Sequence, residues 1–300
     1  MKKICLILAS ILATSSVSAD FLVHPQKIVF SGKDKTKSIQ ITNMGSEAKS
    51  YKMKFVELYP MKSGAYRNIE KRNGNLVFVD KGLNKKKKPI EKISPLTTTQ
   101  ASKVKFASPF IDYSPRRITL NPNETQIIRL MLNKKARKNK DIEARSHFYI
   151  QEKNVIQKAQ PKSRSKKMSF NIQGLPGVTI PVVARFGKTS VEGRFKNINV
   201  SNSNSGAQLS LTLERKGDQS LRGNIVVYKD EGFFYSDTEI GRVANFAVYS
   251  NLTERYIKIP LHDKSKNLKL GDVKGEDLII KFEGDADDCP DINFETKLKM

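Results

Sequence analysis

The chain alternates apolar and polar residues at period two in one short run after another, and glycine, asparagine, proline or serine closes each run. Residues 38–43 place Ile39 and Ile41 against Ser38, Gln40 and Thr42, and residues 51–55 place Tyr51, Met53 and Phe55 against Lys52 and Lys54. Further short strand-like runs follow at 22–30, 118–120, 126–131 and 147–150, a dense β-branched run at 178–186, and then runs at 209–213, 223–228, 246–249, 256–261 and 278–282. A strand turns successive side chains to opposite faces, so such runs suit half-buried strands of β-branched and aromatic residues. No amphipathic helix longer than three turns is present, and only residues 134–144 read as a short helix. Many short strands separated by turns at 8–12 residues predict an all-β chain of sandwiches.

The N-terminus predicts export. Lys2 and Lys3 precede an apolar stretch at 4–13, and Val17-Ser18-Ala19 supplies the small residues of a cleavage site, so residues 1–19 read as a signal peptide. That stretch is half of what a membrane span needs, so no membrane insertion is expected. The rest suits two domains, 20–187 and 188–300, divided at Gly187-Lys188. Residues 61–101 lose the alternation and read as a long exposed insertion, and residues 151–170 read as a long loop rich in Gln, Lys and Ser. Cys5 leaves with the signal, and Cys289 alone cannot form an internal disulfide, so apolar cores must hold both domains.

The formal net charge is +24. It concentrates in Lys85-Lys86-Lys87-Lys88 and in the segments 134–140 and 162–167, which read as solvated loops between strands. Export and the lack of a basic helix or aromatic RNA-binding motif exclude nucleic acid as the partner. Signs of catalysis are scarce. His24, His147 and His262 lie far apart with no cysteine pair or HExxH spacing, and no metal or cofactor is expected. Gly187-Lys188-Thr189 lacks the earlier glycine of a phosphate loop, since Val182 stands there. No GxSxG elbow occurs. Asp285, Asp287, Asp288 and Asp291 lack the glycine and glutamate of a calcium loop and read as a solvated acidic tail around Cys289. The chain therefore reads as a binding protein, not an enzyme. Arg129 and Arg145, on or beside strands, are expected to pair with carboxylates.

Several phrases, in order, resemble the periplasmic chaperones of chaperone–usher pili. Residues 22–30 followed by Ser31-Gly32 resemble the family's first strand, and residues 38–43, ending in Asn43, its second. Residues 114–130 match its pattern of a proline, an apolar strand, a polar turn, then Gln126 and Arg129. Arg145-Ser146-His147-Phe148 and residues 180–185 resemble the later phrases of its more distant branches. The resemblance implies two immunoglobulin-like β-sandwiches set at an angle with a cleft between them, located in the periplasm. It implies pilin-like subunits as partners, stabilised by a lent β-strand and delivered to an outer-membrane usher. Met168, Phe170 and Ile172, spaced by two, are the candidates for the lent side chains, with Val178 and Ile180 further along the same strand. Lys27 falls on the first basic anchor for a subunit's C-terminal carboxylate. The second falls on the uncharged Pro181, and Arg185 is the substitute. An exposed lending strand also carries a risk of self-association. The alternative is a secreted or surface β-sandwich adhesin that binds ligands through its basic loops.

Overall fold

The computed structural model describes residues 21–32, 34–83, 88–136, 141–153, 177–232, 236–263 and 266–300. The signal segment, most of the lysine runs, and Met168, Phe170 and Ile172 lie outside the described residues. Among the described residues, twelve strands precede Gly187: β1 (Phe21–His24), β2 (Ile28–Phe30), β3 (Thr36–Asn43), β4 (Lys49–Pro60), β5 (Tyr66–Arg72), β6 (Asn75–Leu83), β7 (Pro89–Pro95), β8 (Ile111–Ser114), β9 (Arg117–Leu120), β10 (Thr125–Leu132), β11 (Ile142–Lys153) and β12 (Gly177–Phe186). Nine of the described strands follow it: β13 (Val191–Ser203), β14 (Gly206–Gly217), β15 (Leu221–Lys229), β16 (Thr238–Val248), β17 (Glu254–Pro260), β18 (His262–Asp263), β19 (Lys266–Asn267), β20 (Asp277–Gly284) and β21 (Asn293–Lys299).

The fold is all-β, and among the described residues no sheet joins the two halves. In the first half, a sheet ordered β1-β3-β10-β8 faces one that runs β2-β12-β11-β4 and continues through β5-β6-β7, with β9 on β4. Alternation sends Phe30, Ile39, Ile41, Tyr51, Met53, Ile128, Leu130, Phe148, Ile150, Ile180 and Val182 into one core, all nearly inaccessible. Each such side chain contributes roughly 1.5–3 kcal/mol of gross burial. Asn43 is also fully buried, because its amide nitrogen donates to the carbonyls of Leu120 (3.1 Å) and Glu47 (2.8 Å) while its oxygen accepts from Gly45 (3.0 Å). It thus ties the end of β3 to two loops. The second half pairs β13-β14-β17 in one sheet and β16-β15-β20-β21 in another, around Leu209, Leu211, Leu213, Ile225, Val227, Ile280 and Phe282.

Three expectations change. Within the expected insertion at 61–101, residues 66–83 and 89–95 form a regular meander, β5-β6-β7, grown from the far end of β4. They have their own small core of Tyr59, Ile69 and Phe78. A two-residue turn at Asn73-Gly74, both with positive φ, closes β5 onto β6, as an Asn-Gly hairpin should. The meander is followed by α1 (Thr98–Lys103), capped by reciprocal bonds between Thr97 and Gln100. The helix expected at 134–144 does not form at its C-terminal end, since Ile142 to Ala144 open β11, where pairing with β12 outweighs local propensity. Cys289 does not lie in a solvated tail. It is 2% exposed, packs in the second core, and turns its Sγ toward the carbonyl of Ser220 at 3.4 Å.

Candidate functional site: the contact between the two sandwiches

Lys27 stands just before β2, which runs parallel to β12 with Ile28 beside Val182. Arg185 stands near the end of β12, opposite Glu143 on β11. Both cations thus leave the same edge of the first sandwich toward the second. The acidic segment after β20 meets them. Lys27 Nζ lies 2.6 Å from Asp285 and 3.7 Å from Asp288. Arg185 Nε donates to Glu143 at 3.1 Å, Nη1 to the Asp288 carbonyl at 2.9 Å, and Nη2 to the Asp288 carboxylate. Glu143, fully buried at its side chain, also accepts from the backbone nitrogen of Ser220 at 3.1 Å and from its hydroxyl. Arg222 approaches Asp285 at 3.7 Å.

Three cations face three carboxylates, which is how buried charge is tolerated. Burial opposes the charge on Arg185, but Glu143 and Asp288 outweigh it and raise its pKa. Burial also pushes the Asp285 carboxyl up, and the hydrogen bond and charge of Lys27 reverse this, leaving its pKa lowered. Arg185 is therefore a strut between the domains with its donors engaged, and it is not an open substitute anchor. Lys27 is not an ordinary surface lysine either. Its charge is met by Asp285 and, more loosely, by Asp288. Of the acidic residues read as a tail, Asp285 and Asp288 meet the first sandwich.

A second contact is built differently. Arg145 of β11 lies over the ring of Tyr249 at 3.7 Å and donates to the Tyr66 hydroxyl at 3.1 Å. Tyr66, from the meander, shares a 2.7 Å hydrogen bond with the Tyr249 hydroxyl. Lys62 pairs with Glu254 at 3.0 Å, and Asn251 donates to the carbonyl of Pro60 at 3.2 Å. The meander thus braces the second domain. Among the described residues Arg145 and Arg129 form no ion pair, contrary to the pairing expected for them. Beside Arg145, His147 is held neutral, its pKa down at about 3, first by burial and then by the arginine charge. Burial raises the Tyr66 phenol, yet Arg145, the Tyr249 hydrogen bond and Arg255 together bring its pKa below the usual value.

On β12, Val178 is 39% exposed whereas Ile180 is 1% exposed and belongs to the first sandwich's own core. Ile180 is therefore used internally and is not free to be lent. Pairing with β11 covers β12 along its length, but β2 covers its other side only from Val182 to Ala184. Residues 177–181 therefore keep one edge unpaired among the described residues. Among these same residues, no cluster of His, Cys, Asp or Glu is arranged to hold a metal, and no helix is long and apolar enough to cross a membrane.

No family model matches the chain, and no curated protein matches it. Solved structures do. The CsuC–CsuE chaperone–tip subunit complex of the archaic Csu pili of Acinetobacter baumannii aligns at 12% identity over 93% of this chain and 98% of its own, with a TM-score of 0.42. The chain is similar to pilus chaperones. The E. coli chaperone DraB aligns at 10% identity over 93% and 96%, TM-score 0.42, and the Pseudomonas aeruginosa CupB2 chaperone at 8% over 93% and 100%, TM-score 0.38.

Sequence reasoning missed Tyr66, Tyr249, Asp285 and Asp288 as members of one interface. No local signal marks the two tyrosines. For the acidic residues the cue was Cys289 among them, since a free cysteine is more often buried than exposed.

Proposed function

We propose that this chain is a periplasmic chaperone that holds exported, strand-deficient β subunits soluble by lending them a strand and passes them to an outer-membrane usher. The observation that carries the reading is the unpaired edge of β12 at 177–181, directly after the alternating apolar residues Met168, Phe170 and Ile172. An open edge followed back into alternating apolar residues is what β-augmentation requires, since backbone hydrogen bonds supply affinity and alternate side chains supply register. Val178 is the first outward apolar residue of that edge. The similarity of the phrases at 22–43 and 114–130 to the pilus chaperones supports the same reading. In this proposal Lys27 receives a subunit's terminal carboxylate by exchanging it for Asp285, while Arg185 keeps the domains in place.

Purification of the tagged chain from periplasm, with mass spectrometry of what accompanies it, tests the proposal. Small exported proteins with alternating apolar C-termini should co-purify with wild type and be lost from Phe170→Asp and Ile172→Asp. A wild-type protein that carries no such subunits, or variants that carry them undiminished, would remove the strand-lending role. Display of the chain at the cell surface without subunits would favour the adhesin.

A further inference from the structure

We infer that the free edge of β21 is a docking surface for a second copy of this chain, which adds its own β21 antiparallel and joins two sheets into one. The inference is independent of strand lending. β21 ends the sheet β16-β15-β20-β21, and among the described residues nothing pairs with its other side. A free edge invites pairing, and folded proteins guard such edges with short strands, proline, bulges or unanswered charge. Apart from the edge of β12 already described, the other long edges carry these devices. β7 begins and ends in proline, at Pro89 and Pro95. β13 is broken by a bulge between Lys196 and Asn199, with Asn197 at positive φ. β16 shifts twice in its register with β15, and β17 carries Arg255 and Lys258 and ends at Pro260. β21 instead keeps an unbroken register with β20 from Asn293 to Lys299, without proline, glycine or bulge.

The sequence of β21 is complementary to itself. Alternation turns Phe294, Thr296 and Leu298 toward the core and Glu295 and Lys297 outward. An antiparallel copy centred on Thr296 sets Glu295 opposite Lys297 of the copy, Phe294 opposite its Leu298, and Thr296 opposite itself. The two-fold axis makes each unlike pair occur twice. Opposite charges, apolar pairs and facing threonines are cross-strand combinations that stabilise a sheet. Moving the centre to Glu295 or Lys297 sets like charge against like, so one register is specified. Both side chains are reachable, at 55% and 59% exposed, and each has a neighbour within the chain, Lys281 at 3.5 Å from Glu295 and Asp230 at 2.8 Å from Lys297. Across the junction the charges then alternate in one row, from Lys281 through Glu295 to Lys297 and Asp230 of the copy. Behind the edge lies an apolar seam that the sandwich covers only in part. Phe294 stacks on Phe282 at 4.9 Å and meets Phe195 of β13 at 5.0 Å, and Ile198, Val200 and Leu298 are likewise partly buried. The net charge of +24 opposes association at a distance, so the contact forms once salt screens it.

Sedimentation velocity of the mature protein, at up to about 1 mM and in about 0.15 M salt, tests the inference. The result expected is a reversible monomer–dimer equilibrium. Glu295→Lys and Lys297→Glu each bring like charges together twice across the axis and should weaken the dimer about tenfold or more. The double exchange, Glu295→Lys with Lys297→Glu, should restore it. That restoration separates pairing between copies from damage within one, since the neighbours Lys281 and Asp230 still face the wrong charge. Lys258→Glu on β17, which changes the net charge as Lys297→Glu does, should leave the dimer as it is, and so should Val178→Lys on the edge of β12. A chain that stays monomeric throughout overturns the inference. So do single variants that dimerise like wild type, a double exchange as weak as the singles, or a dimer lost in Val178→Lys, which would place the contact on β12.

Discussion

The two contacts between the sandwiches use the same residue types to opposite ends. Around Arg185, each cation has a carboxylate and the guanidinium donors are spent on Glu143 and Asp288. Around Arg145, the cation rests on an aromatic face and a phenol, and among the described residues two of its nitrogens have no protein acceptor and no acid pairs with it. A buried charge with its counter-charge resists change, because removing either partner strands the other. A buried guanidinium without one leans on the ring face and the phenol instead, and its loss strands no acid. The difference separates a contact closed by charge pairs from one closed by an aromatic stack and a phenol, although both arginines stand on neighbouring strands of one sheet.

Arg185→Ala should cost most, about 3–5 kcal/mol in urea unfolding, because it leaves the Glu143 and Asp288 carboxylates buried and unpaired. Arg145→Gln should cost far less, about 1 kcal/mol, chiefly its stack on Tyr249. Equal losses would erase the distinction.

Acid should separate the contacts next. The folded pKa of His147, about 3, lies below its ordinary 6.5, so the unfolded chain binds its proton first and stability falls as pH drops from about 6.5 toward 3. Asp285 has a lowered pKa, so its contribution is intact above its ordinary 3.8 and is lost only as pH falls through the folded value. Between pH 6 and 4.5, His147→Phe should therefore lose less melting temperature than wild type, while Asp285→Asn should track it. A parallel decline in wild type and His147→Phe would contradict the assignment. Lys27→Ala should cost about 1 kcal/mol, since Arg222 still faces Asp285 and the pair is only partly buried. Lys62→Ala, at an exposed pair with Glu254, should leave the melt within error.

The sandwiches were legible because period-two alternation is a local signal that matches burial on one face. Ile39, Ile41, Ile128 and Leu130 alternate in sequence and all reach the core. The meander was hidden by lysines and a lack of strict alternation, although Asn73-Gly74 is a strong hairpin signal flanked by the apolar Ile69, Leu76 and Phe78. β13 was missed for a related reason, since most of its residues are polar and partly exposed. The acidic segment was misread because nothing local distinguishes a solvated aspartate from one that meets Lys27 across more than 250 residues of chain. Arg145 lies in the same class. Whether an arginine has a counter-charge is a property of the packed interface and not of its neighbours in sequence.

Hydrogen exchange at residues 177–180, with and without a captured subunit, tests strand lending most directly. The account predicts that outward-facing amides of this edge exchange freely in the lone chain and become protected in the complex, along with those at 168–172. Capture of a subunit with no added protection at these amides would contradict it.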